Sequence, residues 1–189
     1  EYIQSLGTVR VLFFTGNAPF QYKKDGNLTG YSVEYFDDFA KSVGMQYEAV
    51  IEDDLDAATK LVEEDQVDLI ACIATDSALS YKPGIRFSSP YFHSYAVRTY
   101  SKDSNCTEND IIRINMNSEN TLNDLASMQN FCAWMDEYSL NYYMRKKNMY
   151  DNVVTDLSDS REFSYAVAVT ETLPQVDTMI SMLNQFASS

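Results

Sequence analysis

The 189-residue chain predicts an α/β fold, and three observations carry that expectation. Short apolar runs of strand length alternate with stretches whose apolar residues recur at helical spacing. The first such unit, Val9 to Val50, reads as strand, helix, strand, an order that places two parallel strands under a covering helix. Gly44 stands at the end of its helix, with the second strand following at once.

Element by element, Val9–Phe14 reads as a buried strand, followed by a loop holding Pro19 and a hairpin turn at Asp25-Gly26-Asn27. The helix spans Tyr31 to Gly44 and the second strand Met45–Val50. Leu55, Ala58, Leu61 and Val62 mark a second helix, and Val67–Ala74 a strand for a sheet centre. Tyr95–Lys102 alternates as a strand, and Asp103–Asp110 is a polar loop. Ile111–Asn115 reads as a strand, Leu122–Met128 as a short helix, and Phe131–Met135 as a strand. Asp136 is placed to cap a helix over Tyr138–Lys147, whose basic residues fall in the last turn, where the helix dipole favours them. Strands follow at Asn152–Leu157 and Phe163–Val169, and a closing helix runs from near Pro174 to Phe186.

Composition narrows the function. A hydrophobic content of 45% supports a folded core, and a formal charge of −14 argues against nucleic-acid binding, which needs dense Lys and Arg. No apolar run approaches the ~20 residues that span a bilayer, and no signal peptide is present. The chain starts mid-stream at Glu1, as an excised or processed domain would. One histidine and three cysteines without a CxxC pair make a zinc site improbable. Cys72 and Cys132 lie in apolar runs and read as buried small hydrophobes, while Cys106 lies in a polar loop. One disulfide with a thiol left over fits the count, but a disulfide framework is not favoured. Asn27-Leu28-Thr29 and Asn105-Cys106-Thr107 match the N-glycosylation pattern, which has meaning only in a eukaryotic secretory context.

The run from Val9 to Glu48, with Pro19-Phe20, Gly30-Tyr31 and Gly44, resembles the opening of bacterial extracellular solute-binding proteins of family 3. Phe87–Phe92 (FSSPYF) is similar to the family's hinge signature, Phe131–Met144 to its strand-to-aspartate segment, and Phe163–Val169 to its return crossing. The resemblance implies a two-lobed, periplasmic-binding-protein-like (type II) fold that closes on a ligand. Lobe 1 would comprise residues 1–91 and 166–189, and lobe 2 residues 92–165. Lobe 2 is shortened, because a helix–strand unit is missing between Ile111–Asn115 and Phe131–Met135, and with it the helix N-terminus that helps hold an anion, for which Asn117, Ser118 and Thr121 are the partial replacement the sequence offers.

The same resemblance implies a cleft faced by Phe14, Asn17 and Phe20, with Thr75 and Tyr81 beside them and Asn117, Ser118 and Asp136 opposite. In amino-acid binders an arginine grips the ligand carboxylate and an aspartate its ammonium, since a buried charge without a partner is costly. Here residues 79–82 read Leu-Ser-Tyr-Lys, so the arginine is absent, and Lys82 lacks the planar fork. Arg86 stands where the hinge signature has an acid, and Asn17 where a stacking aromatic is usual. Asp136 is retained, and its capping role weighs equally with a ligand-binding one. Among Tyr81, Tyr91, Tyr95 and Tyr138, an aromatic-lined pocket would suit a cyclic or apolar ligand, but most of the 14 tyrosines must be packing residues.

The expected function is an extracellular ligand-binding or sensor domain of a bacterial membrane signalling protein, of histidine kinase or diguanylate cyclase type. Its partner is a small solute, amino-acid-like or not, with no cofactor, no metal and no nucleic acid. Tethering to the membrane protein is expected in the full-length chain. The alternative is the substrate-binding component of an ABC importer for an amino acid or similar polar solute. An enzyme on this fold would have only Asp136, Glu137 and His93 as acid–base candidates, at a spacing that supports no known chemistry.

Overall fold

A computed structural model describes residues 1–146 and 150–189. In chain order the elements are α1 (Tyr2–Ser5), β1 (Thr8–Phe13), β2 (Gly16–Asn17), β3 (Gln21–Lys24), β4 (Asn27–Thr29), α2 (Tyr31–Val43), β5 (Gln46–Ile51), α3 (Leu55–Glu63), β6 (Leu69–Ala74), β7 (Ile85–Phe87), β8 (Phe92–Ser101), α4 (Ser118–Ser127), β9 (Cys132–Asp136), α5 (Glu137–Lys146), β10 (Val153–Thr170) and α6 (Val176–Ala187). One mixed sheet runs β5-β1-β6-β10-β8-β9, with β7 also paired to β10. β1 is parallel to β5 and β6, as the strand–helix–strand reading requires. A small sheet, β2-β3-β4, leans out from the end of β1.

Strand alternation divides the main sheet between two cores. Val9, Val11, Phe13, Leu69 and Ala71 face α2 and α6, meeting Phe36, Phe39, Met179 and Leu183. Leu12, Phe14, Ile70 and Cys72 face the other way, toward Phe20, Met116, Trp134 and Tyr165. A third cluster joins α4, β9 and α5 through Leu122, Leu125, Ala133, Met135, Leu140 and Tyr143. α2 ends as its sequence demands. Gly44 is left-handed at φ 71°, and the Met45 amide turns back to donate to the Ala40 carbonyl at 2.8 Å.

The chain enters its second half along β8 and returns along β10, which pair antiparallel from Phe92↔Tyr165 to Ser101↔Val153. The two strands expected at Asn152–Leu157 and Phe163–Val169 are therefore one strand. A register shift between Asp156 and Ser160 absorbs the polar residues that look like a break in the sequence. The strand expected at Ile111–Asn115 does not form. Only isolated bridges hold that stretch: Ile112 pairs with Ala133 on the edge of β9 that β8 leaves free, and Ile114 with Ser77. The helix expected at Leu122–Met128 begins four residues earlier, at Ser118, with the Asn117 side chain capping it by accepting from the Asn120 amide at 3.1 Å. Thus a helix N-terminus does face the centre of the molecule. The helix expected over Tyr138–Lys147 is α5, and the end of that expectation, Lys147, lies outside the described residues.

Cys132 is not a simple buried hydrophobe: it is bonded to Cys106, tying the polar loop to β9. Cys72 is the buried free thiol.

Candidate functional site

The site is built where β2, α4, β9, α5 and β10 converge. β1 ends at Phe13, and the Phe14 amide donates to the buried Gln21 side chain at 3.0 Å. Gln21 in turn reaches the Cys72 carbonyl, so the loop after β1 is bent back over the sheet. This bend pushes Gly16 and Asn17 toward the second half of the molecule. Gly16 bridges Asn117 there, and a Cβ on Gly16 would overlap the Asn117 side chain. A larger residue there would have to displace the Asn117 side chain from its contacts with the Asn120 amide and the Asp53 carbonyl.

Asn17 is 1% exposed and sits among side chains far from it in sequence. Its Oδ1 accepts from the hydroxyls of Ser118 (2.5 Å) and Ser139 (3.1 Å), which lie in the first turns of α4 and α5. Its Nδ2 donates to the Tyr165 hydroxyl at 3.4 Å. Tyr165 donates onward to Asp136 Oδ2 at 2.5 Å, and Ser94 donates to the same oxygen at 3.1 Å. Asp136 Oδ1 accepts from the backbone amides of Tyr138 (2.7 Å) and Ser139 (3.1 Å) and so caps α5.

Asp136, Ser139, Ser94 and Tyr165 are each 0% exposed. Burial raises the Asp136 pKa above the ordinary aspartate value, against the hydrogen bonds from Tyr165, Ser139, Ser94 and Tyr138. Tyr165 is also raised well above its usual value, first by burial and then by the neighbouring Asp136 charge. Phe20 closes one side with its ring centroid 4.5 Å from Tyr165, 5.0 Å from Phe92 and 6.2 Å from Tyr138.

Around this network the halves touch repeatedly. The Tyr143 hydroxyl accepts from the Ala18 amide at 3.0 Å, and Asn117 Nδ2 donates to the Asp53 carbonyl at 3.3 Å. Arg113 lies over the Tyr81 ring at 4.7 Å and reaches Asp76 at 3.4 Å.

The sequence-predicted residues separate into three groups. Asn17, Ser118 and Asp136 meet in the buried network, with Phe20 against it through Tyr165. Phe14 and Asn117 line a neighbouring cavity of about 120 Å³ with Asp53, Leu55 and Met116. Thr75 and Tyr81 lie outside both, on exposed surface: Thr75 pairs with Ser164, and Tyr81 is 62% exposed with its hydroxyl on Asp76. Lys82 lies 4.0 Å from Glu63, and Arg86 pairs with Asp177 of α6, so neither cation enters the network. His93 holds the Ser164 hydroxyl at 2.8 Å on the surface.

Sequence reasoning missed Gly16, Ser94, Ser139 and Tyr165. Ser139 carried a signal, since it stands three residues after a capping aspartate. A wider hollow of about 440 Å³ lies outside the network, between Pro19 and the α5 residues Tyr138, Tyr142 and Arg145. Among the described residues no cluster of His, Cys, Asp and Glu is suited to a metal ion.

The bacterial extracellular solute-binding proteins, family 3, match this chain over residues 9–184. The chain belongs to that family. No curated protein matches it in sequence. Among solved structures, the Bordetella pertussis BvgS VFT2 domain is similar at a TM-score of 0.71 and 15% identity, over 100% of this chain and 90% of that one. A histidine kinase sensor domain with similarity to periplasmic binding proteins gives 0.73 and 16%, over 96% and 89%. The arginine-bound form of ArgBP from T. maritima gives 0.69 and 16%, over 98% and 97%. These likenesses establish a two-lobed type II periplasmic-binding-protein-like fold. The family is extracellular by description, and no helix among the described residues is long and apolar enough to cross a membrane.

Proposed function

We propose that this family member is a non-catalytic extracellular sensor domain of a bacterial membrane signalling protein, tethered to the membrane in its full-length form. Lobe 1 is residues 1–91 with 166–189 and lobe 2 is residues 92–165, divided where Phe92 pairs with Tyr165. One observation carries the reading. The aspartate that would hold a ligand ammonium, Asp136, spends both oxygens on the chain's own Tyr138, Ser139, Ser94 and Tyr165. Arg86 faces Asp177 and Arg113 faces Asp76, so neither supplies an arginine fork opposite it.

A transport receptor needs a complete clamp that captures and hands over its solute. A sensor needs only two states separated by a few kcal/mol and something that binds them unequally. The likeness to ArgBP favours the importer reading as the rival, and one experiment separates the two. Thermal melts of the purified chain against all amino acids, including arginine and glutamate, are expected to show no stabilisation. A shift that grows with the concentration of one amino acid, as mass action requires of a tight ligand, would replace the sensor by a transport receptor.

A further inference from the structure

The centre of the interlobe contact holds a group that behaves as a ligand does. The Asn17 carboxamide comes from the loop after β1, yet its carbonyl oxygen is received by Ser118 and Ser139 of the opposite half, and its amide meets Tyr165. Those two serines lie in the first turns of ten-residue helices, α4 and α5, where backbone dipoles favour an electron-rich oxygen. Every member of this set is more than nine-tenths buried, and the next residue back, Gly16, lies against Asn117 with no room for a Cβ.

We propose that Asn17 is a tethered carboxamide ligand, that the empty domain is shut by it, and that the regulated transition is opening rather than closure. The site between Ser118, Ser139 and Tyr165 is then a receptor for a neutral carboxamide. An incoming solute must present the same chemistry, an acceptor oxygen toward the two hydroxyls and a donor toward Tyr165. It must also displace a group held at an effective concentration of about millimolar or more. This rests on the sensing reading for its physiological sense, but its test does not. A chain shut by Asn17 that also fed a permease would fail the thermal-melt test and still pass this one.

The experiment is small-angle scattering on the solute-free chain, with far-UV circular dichroism to confirm folding. Wild type is expected to give the compact two-lobe dimension of the closed form. Asn17→Gly removes only the atoms of acetamide, so the variant is expected to expand, and millimolar acetamide to restore the wild-type dimension. Gly16→Ala leaves every network residue in place but forces a methyl against Asn117. It is expected to expand as well, with acetamide giving no recovery. A compact Asn17→Gly variant, or an expanded one that acetamide leaves unchanged up to its solubility limit, overturns the proposal.

Discussion

Asp136 caps a helix with one oxygen and anchors Tyr165 and Ser94 with the other, and its burial gives the domain a pH dependence of known sign. A carboxyl whose pKa is raised on folding contributes most below its unfolded value, near 3.9, and that contribution is lost as pH rises through the folded value. Denaturant titrations from pH 4 to 7 should therefore show wild type losing stability relative to Asp136→Asn, which cannot ionise. A constant difference across that window would show that Asp136 keeps an ordinary pKa. Asp136→Ala should cost about 3 kcal/mol or more, since it strands two amides and two hydroxyls in the interior. Asp136 was visible in the sequence because a cap and a ligand clamp both call for aspartate at a strand end. Tyr165 was not, because a tyrosine inside FSYAVAV carries the same apolar pattern whether its hydroxyl is wet or buried on a carboxylate.

The start of α2 shows what a single residue asks of an element. Its first amides, at Tyr31 and Ser32, donate to the Pro19 and Phe20 carbonyls, so the preceding loop caps the helix in place of a side chain. That contact requires Gly30 at φ 124°, where an added Cβ would also collide with the Phe20 carbonyl. Gly30→Ala should cost about 2 kcal/mol or more in chemical denaturation and loosen the Phe20 ring cluster with it. The glycine was legible as a helix boundary, whereas its role in holding Phe20 depends on a contact ten residues away.

The Cys106–Cys132 bond spans a separation of 26 residues, and in the chain-entropy picture reducing it should lower stability by about 3 kcal/mol. Thiol titration should then count no reactive thiol in the folded chain, one (Cys72) on unfolding, and three after reduction. Three thiols on unfolding without reductant would refute the pairing. The sequence allowed a bridge without naming its partners, because Cys132 sits in an apolar run that also suits a packing residue. Ile111–Asn115 misled in the opposite way: its apolar residues are those of a strand, but Ile112 bridges Ala133 and Ile114 bridges Ser77, so no continuous ladder forms.

At the scale of the molecule, the strand–helix–strand opening and the order of elements made the α/β class readable, since they rest on local periodicity, and the resemblance of Phe87–Phe92 to a family hinge signature implied the two lobes. The state of the two halves was not readable, since it rests on pairs such as Asn17 with Ser139 that only the folded topology brings together. The central claim is that this flytrap is shut by its own side chains. Small-angle scattering of the wild-type chain, freed of solute and then mixed with amino acids, tests it most directly. A compact curve that does not change on addition is the expected result. An expanded curve that contracts when an amino acid is added would show an ordinary ligand-closed receptor and contradict the account.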